Sequence, residues 1–283
     1  ARKQGDTARA ESLLRQALMK DPSDPASILR LATLDLGNPM AEIQQSGWDR
    51  LWELANTDAK ESLVAIDQLA SNPLTTSPQS AALLDLASKK ASVPPRLRYH
   101  VVSAFMRLHT ADRDAMLNLE ASRVVGRPEE EMEAFCQWLT DENEHEHLLK
   151  FLPFEKAVTS ARTLPFHLNA LMRLGRWSEL SQVLKDEKRL HLDALSIAEL
   201  RAKCARGLGE PPQVIRDLLE RGREFAIAAR TTAGLDRFAN VSLALGYPDI
   251  ALACLKSVAP TSAAQREALY DRIMSIQRSE GDM

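Results

Sequence analysis

Apolar residues recur along the chain at the spacing of amphipathic helices, and one short pattern returns several times. Apolar residues lie five and nine positions after each of Gly175, Gly209 and Gly246. They are Leu180 and Leu184, Val214 and Leu218, and Ala251 and Leu255. The offsets also occur in two further places, with Ala10 and Leu14 after Gly5, and Ala115 and Leu119 after Thr110. Gly175 and Gly209 are 34 residues apart. A helix start that returns at a near-constant period predicts a stacked array of helix pairs.

Turn-forming residues divide the chain into predicted helices. Breaks inside the helix pairs are expected near Gly5, Gly37–Pro39, Asn72–Pro78, Thr110, Asp141–Asn143, Gly175, Gly209 and Gly246. The second helix of each pair is then predicted at about 6–20, 40–55, 78–91, 112–125, 143–152, 176–187, 211–222 and 248–258. The first helices of the following pairs are predicted at about 24–37, 58–71, 95–109, 128–140, 154–174, 191–207, 224–245 and 262–279. Many prolines lie near these ends, where their missing amide hydrogen costs little.

Two predicted first helices are irregular. Pro165 interrupts 154–174, so a kink or two short helices are expected there. The stretch 224–245 is unusually long and contains Gly234, which makes it a second candidate for bending.

The fold class that this pattern predicts is all-α. The chain has 283 residues, of which 45% are hydrophobic and only 5% aromatic, and no convincing alternating stretch suggests a strand. We expect one α-solenoid of stacked antiparallel helix pairs over residues 1–283, with about eight pairs and a possible irregularity at 141–175.

Charge and hydropathy narrow the classes of partner. The formal net charge is −3 and neither half of the chain carries a single-sign field, so nucleic-acid binding is not expected. No apolar run approaches the roughly 20 residues needed to span a bilayer, so membrane insertion is not expected either. The chain begins at Ala1 inside a repeat, which suggests a fragment or a processed form. A cytoplasmic location is favoured, while a periplasmic or membrane-anchored one stays open, and the oligomeric state is not predicted.

Candidate chemistry is sparse. Cys136, Cys204 and Cys254 are dispersed within predicted helices and are expected to be buried thiols. His145 and His147 are the densest potential metal ligands, but two positions apart on a helix they diverge by about 200°, so a solvated helix start is favoured over zinc. Trp48 and Trp52 share a helical face and are expected in the core, with an exposed partner anchor as the alternative. The chain contains no motif of a phosphate loop, a nucleophile elbow or a metalloprotease helix, so we expect no enzyme, no cofactor and no metal.

The opening residues resemble the tetratricopeptide repeat family. The match is to the second half of a repeat and consists of Gly5, Asp6, Ala10, Leu14, Ala17, Leu18 and Pro22. A weaker form extends over most of the chain, and the unit at 246–260 keeps Gly246, Ala251, Leu255 and Pro260. The units between 38 and 150 match mainly in period. The resemblance implies a superhelix of helix pairs and a habit of binding extended peptides or partner proteins on the concave surface of the first helices.

The resemblance also implies candidate contact residues. The residues expected to face the concave groove are Arg162, Asn169 and Arg173 before Gly175. Before Gly246 they are Asp236, Arg237 and Asn240. Asn169 and Asn240 both lie six residues before their glycines. In the family an asparagine there often hydrogen-bonds the backbone of a ligand, and an amide can donate and accept at once. The lysines of the family's carboxylate clamp are absent, so the chaperone-tail type of domain is not expected.

The resulting hypothesis is a non-catalytic scaffold that captures a peptide or a partner protein in a preformed groove. One alternative is a solenoid domain of a larger membrane-anchored or enzymatic protein, which positions a partner or a catalytic module outside residues 1–283. A helical hydrolase or metal enzyme built around His145 and His147 is a third, disfavoured possibility.

Overall fold

The computed structural model describes residues 2–229, 231–258 and 263–281, with side chains over 9–229, 231–258 and 267–276. Within these ranges the chain forms α-helices, two single 3-10 turns at Thr110–Asp112 and Glu187–Arg189, and no strand. The all-α prediction is therefore confirmed. The helices are α1 (Arg2–Lys20), α2 (Pro25–Leu36), α3 (Ala41–Ala55), α4 (Glu61–Ser71), α5 (Ser77–Lys89), α6 (Pro95–Leu108), α7 (Arg113–Val124), α8 (Glu129–Asp141), α9 (His145–Phe151), α10 (Phe154–Ala157), α11 (Leu164–Arg173), α12 (Trp177–Val183), α13 (Ala194–Gly207), α14 (Pro212–Ala228), α15 (Thr232–Ala244), α16 (Pro248–Lys256) and α17 (Ala263–Gly281).

The chain divides into two compact units, residues 1–142 and 143–283. In the first unit each helix packs on the next one along the chain, and α2, α4, α6 and α8 also form a contacting row. Its core contains fully buried apolar side chains of several helices, among them Leu51, Ile66, Leu69, Leu83 and Val101. Burial of such side chains stabilises each by about 1.5–3 kcal/mol relative to exposure.

The second unit follows a similar local order from α11 onward. Successive helices from α11 to α17 pack on one another, and the pairs α13–α15 and α14–α16 are also in contact. The core lies between these helices, with Leu219, Phe238, Ala251 and Leu255 fully buried. Gly222 of α14 faces the Phe238 ring so closely that an added Cβ would lie 2.1 Å from Phe238 Cζ. A glycine is therefore required at this helix crossing.

Three turns in the second unit have the same conformation. Gly175, Gly209 and Gly246 have φ values of 66°, 73° and 87°, in the left-handed region that favours glycine. The amide of the residue after each glycine bonds to a carbonyl five residues earlier, at 2.9 Å, 3.0 Å and 2.9 Å for Arg176–Leu171, Glu210–Ala205 and Tyr247–Ser242. This is the hydrogen bond of the Schellman motif, which ends a helix and satisfies its last carbonyls. The glycines found in the sequence thus end α11, α13 and α15.

Most predicted helix bounds lie within three residues of the observed ones, but two predictions of breaks are wrong. Gly5 lies inside α1, so the expected turn there does not form. The predicted helices 211–222 and 224–245 would also place a break near residue 223. Instead, α14 continues to Ala228 and α15 begins at Thr232. The hydroxyl of Thr231 accepts a hydrogen bond from the Gly234 amide at 3.2 Å, so Gly234 belongs to a capped first turn and not to a bend.

The irregularity at Pro165 takes the form of two helices. α10 ends at Ala157, α11 begins at Leu164, and Pro165 lies in the first turn of α11. Proline is tolerated there because the first amides of a helix have no intrahelical acceptor.

Burial follows the repeated apolar pattern in some pairs and departs from it in others. The residues at the two offsets are buried in α12 and α16, where Leu180, Leu184, Ala251 and Leu255 are at most 3% exposed. In contrast, Leu119 of α7 is 43% exposed and Val214 of α14 is 40% exposed. The pattern therefore marks the helices, but Leu119 in α7 and Val214 in α14 do not face the core, whereas Leu218 of α14 packs against it.

Candidate functional site

The candidate residues on α11 and just before it are accessible. Arg162 and Arg173 are exposed and Asn169 is partly exposed. Asn169 and Arg173 are four positions apart and share one face of α11, whereas Arg162 lies in the segment before the helix. These three residues stay a prediction, because their positions alone do not identify a ligand.

The candidate residues on α15 are already engaged within the protein. Asp236 forms an ion pair with Arg272 of α17, and the Arg272 guanidinium also donates to Asn240 Oδ1. Arg237 Nε donates to Glu199 Oε2 of α13 at 2.8 Å, and Arg237 Nη1 donates to Ser196 Oγ at 3.3 Å. A ligand at Asn240 would have to compete with Arg272. The sequence could not indicate this, since Arg272 is 32 residues away.

A groove that sequence reasoning missed lies between α6 and α8. It has a volume of about 460 Å³, and its lining consists of Arg96, Tyr99, His100, Ser103, Ala134, Gln137, Trp138, Asp141 and Glu142. Residues of each helix recur every three or four positions, so both helices present one face to the groove. That spacing was visible in the sequence, and the predicted array places these two consecutive first helices side by side, but the sequence did not indicate that their faces enclose a groove.

The floor of the groove is an aromatic cluster. The Tyr99 and Trp138 rings are stacked, with centroids 5.0 Å apart and planes inclined by 11°, and Phe135 packs at 5.6 Å from Trp138. Tyr99 is only 2% exposed, and this burial raises the pKa of its phenol to about 12. Stacked aromatic pairs add about 0.5–1.5 kcal/mol beyond the area they bury, so the floor is expected to be rigid.

Hydrogen bonds connect this floor to a charged edge. Trp138 Nε1 donates to Ser103 Oγ at 2.9 Å, and Ser103 Oγ donates to Glu142 Oε1 at 2.5 Å. The other Glu142 oxygen lies 3.4 Å from Arg113 Nη2. Across the groove, His100 Nδ1 lies 2.8 Å from Asp67 Oδ1. The indole, the hydroxyl and the carboxylate are thus held in place before any ligand arrives.

The rims of this groove carry opposite charges. Arg96 of α6 is exposed on one side. Asp141 and Glu142 lie at the end of α8 on the other, where Gln137 Nε2 donates to Asp141 Oδ1 at 2.7 Å. A ligand that carries both a positive and a negative group would therefore meet a complementary charge at each rim.

The two histidines considered as metal ligands have different surroundings. His145 is only 7% exposed, so the expected solvated helix start is wrong for this residue. His147 Nδ1 lies 2.8 Å from Glu144 Oε2 of the same turn. Among the side chains that the structure describes, no three histidine, cysteine or acidic residues are grouped as metal ligands.

The cysteines are buried as the sequence predicts, whereas the two tryptophans lie only partly buried at the side of the core. Cys136, Cys204 and Cys254 are buried, which confirms the prediction of buried thiols. Burial raises the pKa of Cys254 to about 11 and also raises that of Cys204, so both thiols stay protonated at neutral pH. Trp48 and Trp52 are stacked at 5.4 Å and pack, partly buried, against the core of the first unit.

Comparison with known proteins gives no family for this chain. A scan against protein-family models finds no match, and a search of curated proteins also finds none. In the described part of the chain no helix is both long enough and apolar enough to cross a lipid bilayer.

Proposed function

We propose that this chain is a non-catalytic binding scaffold of stacked, tetratricopeptide-like helix pairs, and that the groove between α6 and α8 captures an extended segment of a partner protein. Contacts between next-but-one helices support the stacked arrangement, because each such pair brings two first helices or two second helices together. The three equivalent glycine turns support it as well. A single array over residues 1–283 is part of the proposal.

The observation that carries the proposal is the combination of shape and chemistry in the α6–α8 groove. Its floor offers two stacked aromatic rings, and its edge offers a hydrogen-bonded hydroxyl and carboxylate. Peptide sites are typically apolar with a few well-placed polar groups, and aromatic residues are enriched in the core of interfaces. The groove fits a segment with an apolar side chain for the floor, a cationic group for Asp141, and an anionic group for Arg96.

Binding would proceed without a covalent step. The ring stack and the bonds from Trp138 through Ser103 to Glu142 fix the groove before binding, so little side-chain freedom is lost on capture. Asn169 and Arg173 on α11 belong to the proposal as partner contacts of the second unit. Asp236, Arg237 and Asn240 belong to it only if the partner displaces their internal bonds.

The proposal can be tested by filling the groove. A displayed library of random linear peptides would be selected on the wild-type protein, and an enriched peptide would be titrated by fluorescence anisotropy. Ala134 is a half-buried residue of the groove lining, so Ala134→Trp puts an indole where the ligand would lie. We expect affinity to fall at least about tenfold, a loss of about 1.4 kcal/mol.

Two further variants control for folding. Ala111→Trp adds the same ring at an exposed position of the first unit outside the groove, and it should bind as wild type does. Gln137→Trp fills the groove from an exposed position, so it should fold even if Ala134→Trp does not. Wild-type affinity in a folded groove-filling variant, or no peptide enriched at all, would exclude this groove as the site.

A further inference from the structure

The second helix α14 has a face that the preceding second helix is too short to cover. α12 has seven residues and α14 has seventeen, which at 1.5 Å per residue gives lengths of about 10 Å and 25 Å. α14 packs on α13, α15 and α16, while α12 packs on α11 and α13. The segment that follows α12 contains only a single 3-10 turn, Glu187–Arg189. The row of second helices is thus incomplete beside the later turns of α14.

The exposed face of α14 has the spacing of a helix-packing seam. Val214, Leu218, Arg221 and Phe225 follow one another at intervals of four, three and four residues, which places them on one side of the helix. Val214 is 40% and Phe225 42% exposed. The buried residues of α14 are each one position later: Ile215, Leu219, Gly222 and Ala226. Val214, Arg221 and Phe225 are exposed, whereas Leu218 is partly buried and packs against the core. We call this set of four residues the α14 stripe.

Two cavities flank Phe225. One has a volume of about 480 Å³, and its apolar lining comes from Leu192, Ala194, Ile197, Ala198, Leu218 and Phe225. The other has a volume of about 460 Å³ and shares Ala194 and Phe225 with the first. Its remaining lining includes Leu195, Ala229, Ala233 and Arg237. Phe225 therefore stands between two hollows that small and aliphatic residues line, a shape suited to the side chains of a packed helix.

The charge around the larger cavity is positive. Its charged lining residues are Glu187, Lys188, Arg201 and Arg221, and Glu187 forms an ion pair with Arg201. Lys188 and Arg221 are exposed and pair with no carboxylate among the described side chains. The neighbouring Glu220 pairs instead with Arg223 at 3.1 Å, and neither Glu220 nor Glu224 lines the cavity. Two cations without a carboxylate partner in the described part of the chain thus lie beside the apolar part of this cavity.

We infer that the α14 stripe docks a short amphipathic helix of a partner protein, with an apolar seam against Leu218 and Phe225 and acidic residues beside Lys188 and Arg221. The docked helix would supply the packing that α12 is too short to provide. A second copy of the chain fits less well, because its own stripe would bring a second Arg221 and no carboxylate to the contact. Nucleic acid fits less well because Leu218, Phe225 and the other apolar lining residues would meet a charged backbone. This surface is independent of the α6–α8 groove and does not rest on the function proposed there.

The probe is a displayed library of helical peptides with leucine fixed at the four-three-four spacing of the stripe and all other positions random. Selection on the wild-type protein should enrich aspartate and glutamate at positions that flank the leucines. The dissociation constant of an enriched peptide is then measured by titration calorimetry. Failure to enrich any peptide, or enrichment of basic flanks, would overturn the inference while leaving the α6–α8 proposal open to its own test.

Two exposed residues of α14 give a matched pair of variants. Phe225→Ala removes the side chain between the cavities and should weaken binding at least about thirtyfold, as expected for a central aromatic contact. Ile227→Ala removes a side chain of the same helix that is 44% exposed and lines neither cavity, so affinity should stay as in wild type. Equal losses in both variants would argue against docking on the stripe.

Reversing the rim charges tests the chemistry of the partner. Lys188→Glu with Arg221→Glu should weaken the acidic peptide about tenfold and favour a version of that peptide with lysine in place of its acids. Lys256→Glu with Arg206→Glu makes the same charge change at exposed positions outside the cavity and should keep the wild-type preference. An unchanged preference in the first variant would overturn the assignment to an acidic helix. A peptide-free dimer in sedimentation equilibrium that Phe225→Ala dissociates would instead identify a second copy as the occupant.

Discussion

In residues 143–283 three first helices end at a glycine in the left-handed region, whereas the turns after α2, α4 and α6 in residues 1–142 all differ from this type. The turn after α8 is left-handed as well, but at an asparagine, Asn143, with φ 60°. α2 ends at Gly37 with φ −79°, α4 at Asn72 with φ −71° and ψ 119°, and α6 at His109 with φ −126° and ψ 61°. Even so, both units join next-but-one helices in the same order. The arrangement of helices does not depend on one type of turn. Only the glycine type, however, leaves a strong signal in the sequence, because other residues rarely adopt φ above zero.

The largest expected effect concerns the helix crossing in the second unit. Phe238 is fully buried against Gly222, so Phe238→Ala should lower the free energy of unfolding by about 3–5 kcal/mol. Urea denaturation followed by circular dichroism would measure the change. Phe225→Ala is the matched control, since Phe225 is exposed and its loss should cost less than about 1 kcal/mol. Similar losses in both variants would mean that the crossing is not packed as described.

In the two types of turn, replacing glycine by alanine should change the free energy of unfolding by a smaller amount and with opposite signs in the two units. Gly246→Ala forces a left-handed conformation on a residue with a Cβ and should destabilise by about 1–2 kcal/mol. Gly37→Ala should stabilise by about 0.4–1 kcal/mol, because φ there is −79° and an added Cβ would meet no atom closer than 3.5 Å. Thermal unfolding of both variants measures the difference. If the two changes had the same sign, the turns would not differ as described.

The smallest expected effect is a pH dependence from the second unit. His167 is 6% exposed, its Nδ1 lies 2.9 Å from Leu152 O, and burial lowers the pKa of its imidazole below the ordinary 6.5. The unfolded chain therefore takes up this proton first as the pH falls. The stability that neutral His167 contributes is complete above pH 6.5 and declines below it, until the pH reaches the lowered pKa of the folded state.

His167→Asn keeps a donor near Leu152 O and removes the titrating group. The loss of stability between pH 7.5 and 5.5, measured by urea denaturation, should become smaller than in wild type. His191→Asn replaces an exposed histidine with φ 48°, a conformation that asparagine tolerates, and should leave the wild-type pH dependence intact. A wild-type pH dependence in His167→Asn would exclude His167 as its source.

Much of the helical content could be predicted because the signals are local. Proline at the start of α2, α5, α6, α11, α14 and α16, and glycine at the end of α11, α13 and α15, set the bounds that the structure has. The predicted helix end at 222 is wrong because α14 continues through Gly222 to Ala228, where the glycine serves close packing and not a turn. Local sequence does not distinguish these uses, since the Phe238 ring that needs the space is sixteen residues away.

The candidate sites depend on contacts that no local pattern encodes. Six residues were selected by their register before Gly175 and Gly246, but the partner of Asp236 and Asn240 is Arg272 on another helix. The α6–α8 groove needs Tyr99 and Trp138 to meet across 39 positions of sequence. Helix register predicts which residues share a face. Which faces meet, and which polar atoms are already bonded, follows from packing.

The similar intervals between Gly175, Gly209 and Gly246 contain helices of very unequal length. In the first interval the short α12 is followed by a long connector, residues 184–193. In the second interval the long α14 is followed by a short connector, residues 229–231. A longer helix is thus accompanied by a shorter connector, and the spacing between the glycine turns stays nearly constant. A mutation can therefore lengthen or shorten one helix, and change the surface that it presents, without moving the glycine turns. Binding surfaces can in this way vary while the arrangement of the helices stays the same.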